Sequence, residues 1–478
     1  MRSDQDLPFL SAVELTEAYR ARTLSPIEVV DAILSRIERV NPGLNAFTIV
    51  LGEEARESAR RAEEVIQRGN DRQPLLGIPF TIKDLTATKG IPTARGSKAF
   101  AGVIPDEDGI SMERLHAAGG VFLGKTTTPE LGNKGITESP LTGTTSNPWK
   151  RTHTAGGSSG GAAAATAAGL GPLAEGTDGG GSIRIPASCC GVVGLKPSYG
   201  RVPLYRPTSG FGTLAHDGPI TRTVADAALM LSVLAGPDVR DPLCLSDVPE
   251  DYPRAVVQPS VRGLRVAYSR NLGLVAVDPE VVARTDAAAA VFASELGAAV
   301  DEATPDLPDP EEAMMVMWSV TEGVAAVDEV LPRVKRDDVD PSLLELADRG
   351  ERISAFDYFR AAHAFRGRYY AGMRRFFERY DLLLTPTLAV PPFPHPGWMP
   401  GPGEIGGRPI NPFLGWLLTF PFNLTGQPAI SVPCGFSRDG LPIGLQIVGR
   451  VRADGALLRA AAAYEEAAPW KHLRPALD

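Results

Sequence analysis

Apolar positions recur every three or four residues through the first part of the chain. Ile27, Val30, Ile33, Ile37 and Val40 share one helical face, the period of a helix that buries a single stripe. Ser25 and Glu28 form a capping-box pattern ahead of them, with Pro26 at the first helical position. Ser11 and Glu14 announce an earlier helix, and residues 53–68 read as a third, strongly charged one. Asn41-Pro42-Gly43 is expected to stop the second helix. The period then changes. Gly77-Ile78-Pro79-Phe80-Thr81-Ile82 is short and β-branched, and it ends at Lys83-Asp84. That predicts a buried strand.

From residue 119 to 218 the chain is glycine-rich, and strands alternate with helices, which predicts a sheet covered by helices. Residues 112–118 read as a helix and 121–123 as a strand. An alanine run over 162–168 reads as a further helix. Residues 237–262 are irregular, and 263–305 give strand, helix and strand. Residues 311–380 are mostly helical and include an aromatic stretch over 356–377. Residues 382–384 look like a strand returning to the sheet, and 390–411 form a Pro/Gly loop. Two more strands are expected at 429–432 and 445–448, joined by a turn at Asp439-Gly440, before a last helix over 455–468.

Composition narrows the class. The 478 residues are 43% hydrophobic and 22% charged, the range of a soluble globular protein rather than a disordered one. Net charge is −9 and no Lys/Arg-rich run occurs, so no nucleic-acid partner is expected. The four cysteines (Cys189, Cys190, Cys244 and Cys434) contain no C-x-x-C pair. Reduced thiols and a cytoplasmic location are the expectation. Residues 1–8 lack the apolar region of a signal peptide, and no stretch reaches the ~20 apolar residues of a membrane span.

Several short motifs mislead. Residues 119–126 (GGVFLGKT) satisfy the P-loop pattern, but here a helix precedes the glycines and a strand follows them. Phosphate binding needs the opposite order. Residues 401–406 fit G-x-G-x-x-G inside a proline loop with no strand before it, which argues against a dinucleotide. The histidines show no zinc-ligand spacing, so neither metal nor cofactor is expected. Gly156-Gly157-Ser158-Ser159-Gly160 matches a G-x-S-x-G nucleophile elbow, yet the polar, Pro148-containing segment before it makes a poor strand.

That run leads straight into an apolar alanine helix. A second turn, Gly179-Gly180-Gly181-Ser182, follows Ser158 at a spacing of 24 and also leads into apolar sequence. A serine hydroxyl needs a neighbouring base to become a nucleophile. A buried lysine can serve if burial lowers its pKa, and Lys83 is the one lysine directly following a clear apolar strand; a structural salt bridge with Asp84 is the rival reading. Consecutive glycines let several backbone N–H groups converge beside Ser182, as an oxyanion requires.

The segments GIPFTIKDL, GKTTTPELGNKG, GGSSGGAAAATAAG, GTDGGGSIRIPASCCGVVGLKPSYGRVP, GPITRTVADAALML, DLLLTPT and FNLTGQPAISVPCGF followed by GLPIGLQIVG together resemble the amidase signature enzymes across nearly the whole chain. The resemblance is greatest to acylamidases, including hydrolases of cyclic amide dimers. It implies an α/β fold with a large mixed central β-sheet covered by helices and a helical insertion near the substrate pocket. It implies one unit over residues 1–478, with an N-terminal helical region (1–70), a signature core (71–236), an insertion and cap (237–380) and a C-terminal return to the core (381–478). Position by position, Ser182 resembles the nucleophile, and Ser158 the bridging serine whose peptide from Gly157 is cis. Lys83 resembles the general base. Gly179, Gly180 and Gly181 would supply oxyanion-hole N–H groups, and Asn133 lies in the loop on the leaving-group side. Asp178 and Arg184 would support the nucleophile from behind, and Ser159 would bond within its loop. Met314, Met315, Met317 and Trp318, with Trp398, Phe413, Trp416 and Leu417, are candidates for an apolar pocket wall. Two departures stand out: Gly179, where many relatives carry a larger residue, and Thr127, where asparagine is common.

The implied reaction is hydrolysis of a small or aryl acyl amide through an acyl-enzyme. The expected partner is a small-molecule amide substrate, with no membrane; the resemblance leaves a homodimer open. Carbamate or ester hydrolysis would use the same chemistry. The A subunit of a tRNA-dependent amidotransferase shares fold and triad, but its aspartate-containing segment is missing after GPITRTV. A non-catalytic binding protein on this fold would have no need of Lys83, Ser158 and Ser182 together.

Overall fold

Both capping boxes form in the computed structural model, which describes residues 6–69, 72–205 and 211–477. The expectation for residues 1–5 lies outside the described residues, as does the boundary drawn between 70 and 71. Ser11 and Glu14 cap the helix Ala12–Arg20, and Ser25 and Glu28 cap Pro26–Leu44. The second helix does not stop at Asn41. It runs through Pro42 and Gly43 to Leu44, and Asn45, at φ 54°, ends it. Pro42 has no N–H to give the preceding turn. The Asn45 N–H still reaches the Asn41 carbonyl at 2.7 Å, and the Asn41 side chain takes the Ala46 N–H at 2.8 Å. These bonds carry the helix two residues past the proline.

Eleven strands make one mixed sheet. In chain order they are β1 (Phe47–Val50), β2 (Pro79–Lys83), β3 (Val121–Thr126), β4 (Leu173–Thr177), β5 (Val193–Lys196) and β6 (Asp217–Thr221), then β7 (Arg265–Tyr268), β8 (Ala299–Glu302), β9 (Leu382–Pro386), β10 (Ala429–Phe436) and β11 (Pro442–Gly449). Across the sheet the order is β1-β3-β2-β4-β6-β5-β10-β11-β9-β7-β8. β2 runs parallel to both its neighbours, β3 and β4, and is buried along its whole length. A strand covered on both faces reads as a continuous apolar run rather than an alternation. β10 and β11 are longer than their apolar cores suggested, because a register shift between Pro433 and Gly435 lets the hairpin continue past the proline.

GGVFLGKT folds as a turn followed by β3, with Lys125 and Thr126 inside the strand. No helix opens at that lysine, so the segment lacks phosphate-loop geometry. The helices Gly160–Ala167 and Arg184–Cys190 are buried at every residue. A helix that is apolar all round belongs in a core, and alanine side chains let the first of these sit close to its neighbours. Among the described residues, no helix is long and apolar enough to cross a membrane.

Candidate active site

β2 delivers Lys83 at its last residue, and β4 runs alongside it. Glu175 and Thr177 are two residues apart on β4 and so share one face. Glu175 Oε2 accepts the Lys83 backbone N–H at 3.0 Å. Thr177 Oγ1 accepts Lys83 Nζ–H at 2.9 Å. One strand thus holds the lysine at its root and at its tip. Nζ also donates to Ser158 Oγ at 2.7 Å. Relative exposure rises from 0% at Lys83 to 1% at Ser158 and 7% at Ser182, so the three run from the core towards solvent in that order.

The Gly157–Ser158 peptide is cis. The next residue joins the turns together. Ser159 N–H donates to the Ser182 carbonyl at 3.2 Å. Its hydroxyl donates to the Thr177 carbonyl and accepts the Thr177 N–H, each at 3.2 Å. Ser159 therefore bonds across to β4 rather than within its own loop, because the strand edge offers a matched donor and acceptor.

The Gly179–Ser182 turn is fixed from outside. The Gly180 carbonyl accepts the Thr419 hydroxyl at 2.7 Å. In a trans peptide this turns the Gly181 N–H to the opposite side. Gly181 has φ 137°, and a Cβ there would run into the Thr419 side chain, so the position requires glycine.

Behind the turn lies Arg184, wholly buried. Nε and Nη2 donate to the two Asp178 carboxylate oxygens, each at 2.9 Å. Nη2 also reaches Asn423 Oδ1 at 2.7 Å, and Nη1 reaches the Thr419 carbonyl at 2.9 Å and Gln446 Oε1 at 2.7 Å. All five guanidinium N–H groups are used. Burial pushes the Asp178 carboxyl up, but Arg184, Lys196 and Asn423 outweigh it and hold it below its ordinary value. Burial, with Arg184 adding to it, pushes the Lys196 amine down to about 7.

Glu175 is fully buried, and its Oε1 takes the Thr86 hydroxyl at 2.9 Å. Burial raises its carboxyl to about 7, and the neighbouring Asp217 adds to the shift. Thr86, Leu85, Leu131 and Asp217 line a cavity of about 630 Å³ on that side of the sheet.

Asn133 is buried against the helical insertion. Its Nδ2 donates to Ser342 Oγ at 2.8 Å, and Ser342 gives its own proton to Asp340 Oδ1 at 2.7 Å. That ordering leaves Asn133 Oδ1 as a buried acceptor with no hydrogen-bond partner among the described residues. Met314, Met315, Met317, Phe413, Trp416 and Leu417 join Ile185 in one apolar cluster, with Trp318 packed against it. Trp398 does not belong there. It is 44% exposed and lies over the Lys134 ammonium at 5.3 Å. Thr127 is buried, with its hydroxyl 2.6 Å from that of Thr145.

Lys83 is not the only strand lysine. Lys125 and Lys196 are also fully buried in the sheet, but backbone carbonyls and side chains away from the serines hold them. His216 is engaged with Lys196 and backbone carbonyls, and His153 with Thr152. Among the described residues, no group of three or more His, Cys, Asp or Glu side chains is placed to hold a metal ion. Sequence reasoning missed Glu175, Thr177 and Thr419. The only signal for the first two was their alternate placement on one strand, just ahead of the turn that carries Ser182.

A family model described as Amidase matches residues 28–458. The chain is 45% identical to an acylamidase of Rhodococcus erythropolis over 99% of its own length and 98% of that protein. It is 36% identical to the A subunit of the glutamyl-tRNA(Gln) amidotransferase of Moorella thermoacetica, over 99% of each chain. A solved bacterial aryl acylamidase superposes with a TM-score of 0.91 at 36% identity, covering 97% of both chains. With this coverage and the mixed eleven-stranded sheet, the chain belongs to the amidase signature family.

Proposed function

We propose that this protein hydrolyses the C–N bond of small or aryl acyl amides through an acyl-enzyme on Ser182. The observation that carries the reading is the buried 2.7 Å hydrogen bond from Lys83 Nζ to Ser158 Oγ, one peptide away from the Ser159 bond to the Ser182 backbone. Neutral Lys83 takes the Ser158 proton as Ser158 takes that of Ser182. Ser182 Oγ attacks the amide carbon. The N–H groups of Gly179, Gly180 and Gly181 hold the oxyanion, the last oriented by Thr419. Asn133 Oδ1 accepts the amide N–H on the leaving-group side, the role its unused lone pairs support. The proton returns through Ser158 to the departing nitrogen, without which an amine anion would have to leave. Water then attacks the ester carbonyl by the same relay, and the carboxylic acid departs from Ser182. Protons and an acyl group move among this chain, the substrate and water alone. Esters and carbamates are reachable by the same acylation step.

The amidotransferase reading is the weaker one. Identity is 36% to that relative, against 45% to the acylamidase over comparable coverage.

Wild type, Ser182→Ala, Ser158→Ala and Lys83→Ala are to be compared on p-nitroanilide, simple amide, ester and carbamate substrates. Each substitution is expected to lower kcat by about 10³-fold or more. Full activity in Ser182→Ala with loss in Ser158→Ala would transfer the nucleophile to Ser158 and overturn the mechanism. No turnover by wild type on any class would favour a binding protein.

A further inference from the structure

We infer that Trp318 determines which acyl groups this enzyme accepts, by occupying the space a side chain at position 179 would fill. The inference rests on the acyl-enzyme reading above. A Cβ at Gly179 would lie 3.0 Å from Cζ3 and 3.1 Å from Cη2 of Trp318. Both atoms belong to the rigid six-membered edge of the indole, which has no flexible end to move aside. One residue on, a Cβ at Gly180 would lie 3.4 Å from Met314 Cε. Met314 and Trp318 stand four residues apart on the helix Glu311–Ala325, and hence side by side on one face. The insertion helix lays these two side chains along the backbone that leads into Ser182.

The ring is held in place. Its indole N–H donates to the Asn133 carbonyl at 3.0 Å. The loop that carries Asn133 is tied to the insertion again by the Asn133–Ser342 bond and by the buried Lys134–Asp340 ion pair at 2.7 Å. Trp318 therefore spans from the turn that carries Ser182 to the loop that carries Asn133. Met314, Met315 and Met317 are buried, whereas Trp318 is half-buried, so it is the least enclosed of the four. The acyl group stays on Ser182 through both half-reactions, while the amine leaves after the first. A rigid wall beside the Gly179–Ser182 turn therefore discriminates among acyl groups. It admits small or flat acyl groups and excludes branched ones. Gly179 is the partner of this arrangement: a larger residue there and Trp318 exclude one another.

The test uses p-nitroanilides of acetic, benzoic and pivalic acid, with wild type, Trp318→Ala, Trp318→Leu and Trp318→Phe. The readout is the ratio of kcat/KM for the pivaloyl to the acetyl substrate. Trp318→Ala and Trp318→Leu are expected to raise that ratio about tenfold or more. Trp318→Phe, which keeps a ring, is expected to change it by less than about threefold. Gly179→Ala is expected to shift the ratio in the wild-type background and to leave it unchanged on top of Trp318→Ala, because the ring it meets is gone. An unmoved acyl ratio in both Trp318→Ala and Trp318→Leu, with thermal unfolding as in wild type, would overturn the inference. So would a change confined to a series that varies the amine and holds the acyl group constant. Acid-quenched mass spectrometry separates this failure from that of the underlying reading. An acyl adduct on wild type that is missing from Ser182→Ala keeps the acyl-enzyme whatever the ratio does. Turnover by Ser182→Ala with no adduct would remove the acyl-enzyme and this inference with it.

Discussion

Glu175 Oε2 accepts the backbone N–H of Lys83 at 3.0 Å, so a carboxyl without solvent contact anchors the end of the strand at Lys83. Its carboxyl is raised by burial and by Asp217 to about 7 from an ordinary 4.5, while Lys83 opposes the shift. Lys125 on β3 also faces it, with Asp84 at 3.4 Å from that lysine. The folded protein therefore keeps a proton that the unfolded chain releases near pH 4.5. Stability is expected to fall as pH rises from about 4.5 to about 7 and to stay lower above that.

Glu175→Gln removes this dependence, since the Gln carbonyl can accept the Lys83 N–H and the Thr86 hydroxyl can turn to accept from the amide. Urea unfolding at pH 5 and pH 8 measures it. The variant should gain on wild type by up to ~3 kcal/mol between the two pH values. A difference that does not change with pH would show that Glu175 is ionised in the fold throughout.

Thr177 takes the other end of the lysine, at 2.9 Å from Nζ. Thr177→Val keeps the shape and removes that acceptor, which frees the Lys83 amine to leave the line to Ser158. We expect kcat to fall about tenfold with KM within about twofold of wild type, and Thr177→Ser to restore most of it. Steady-state kinetics on one p-nitroanilide decides this, and a change in KM alone would contradict it.

Arg184 carries five hydrogen bonds and no solvent exposure. Arg184→Met takes away the cation bonded to the buried Asp178 carboxylate and leaves it the Asn423 amide and the Ile183 N–H, at a cost of about 3–5 kcal/mol. Adding Asp178→Asn should recover part of that loss, because the remaining group is neutral. Chemical unfolding of the single and double variants supplies the comparison; equal stability of the two would mean Asp178 finds another partner.

Ser25→Ala makes the contrast. It deletes the cap of Pro26–Leu44, far along the chain from Lys83, Ser158 and Ser182, and should cost about 1 kcal/mol. Unfolding should register it and kcat/KM should not.

What sequence could decide lies close together along the chain. The Ser11–Glu14 and Ser25–Glu28 boxes span four residues each, so the atoms that make them are neighbours before any folding occurs. The buried run of β2 announces itself by composition, and it ends on Lys83 where expected. The motif resemblance named Lys83, Ser158 and Ser182 as candidates and pointed to the family that the chain belongs to. Even locally the reading has limits. Asn41-Pro42-Gly43 looked like a stop, and side-chain bonds to residues just beyond it carried the helix further.

The tertiary structure decided which distant groups meet. Thr177 lies 94 residues from Lys83 and Gln446 lies 262 residues from Arg184, and no period or motif links them. Trp398 and Trp318 looked alike as candidates for the pocket wall, yet one stacks on Lys134 in the open and the other fills the place of a side chain at Gly179. Local hydrogen bonds and hydrophobic period need only a few neighbouring residues, so the chain carries them in its order. Long-range partners depend on which strands end up adjacent, and that is fixed only when the whole sheet buries its two faces together.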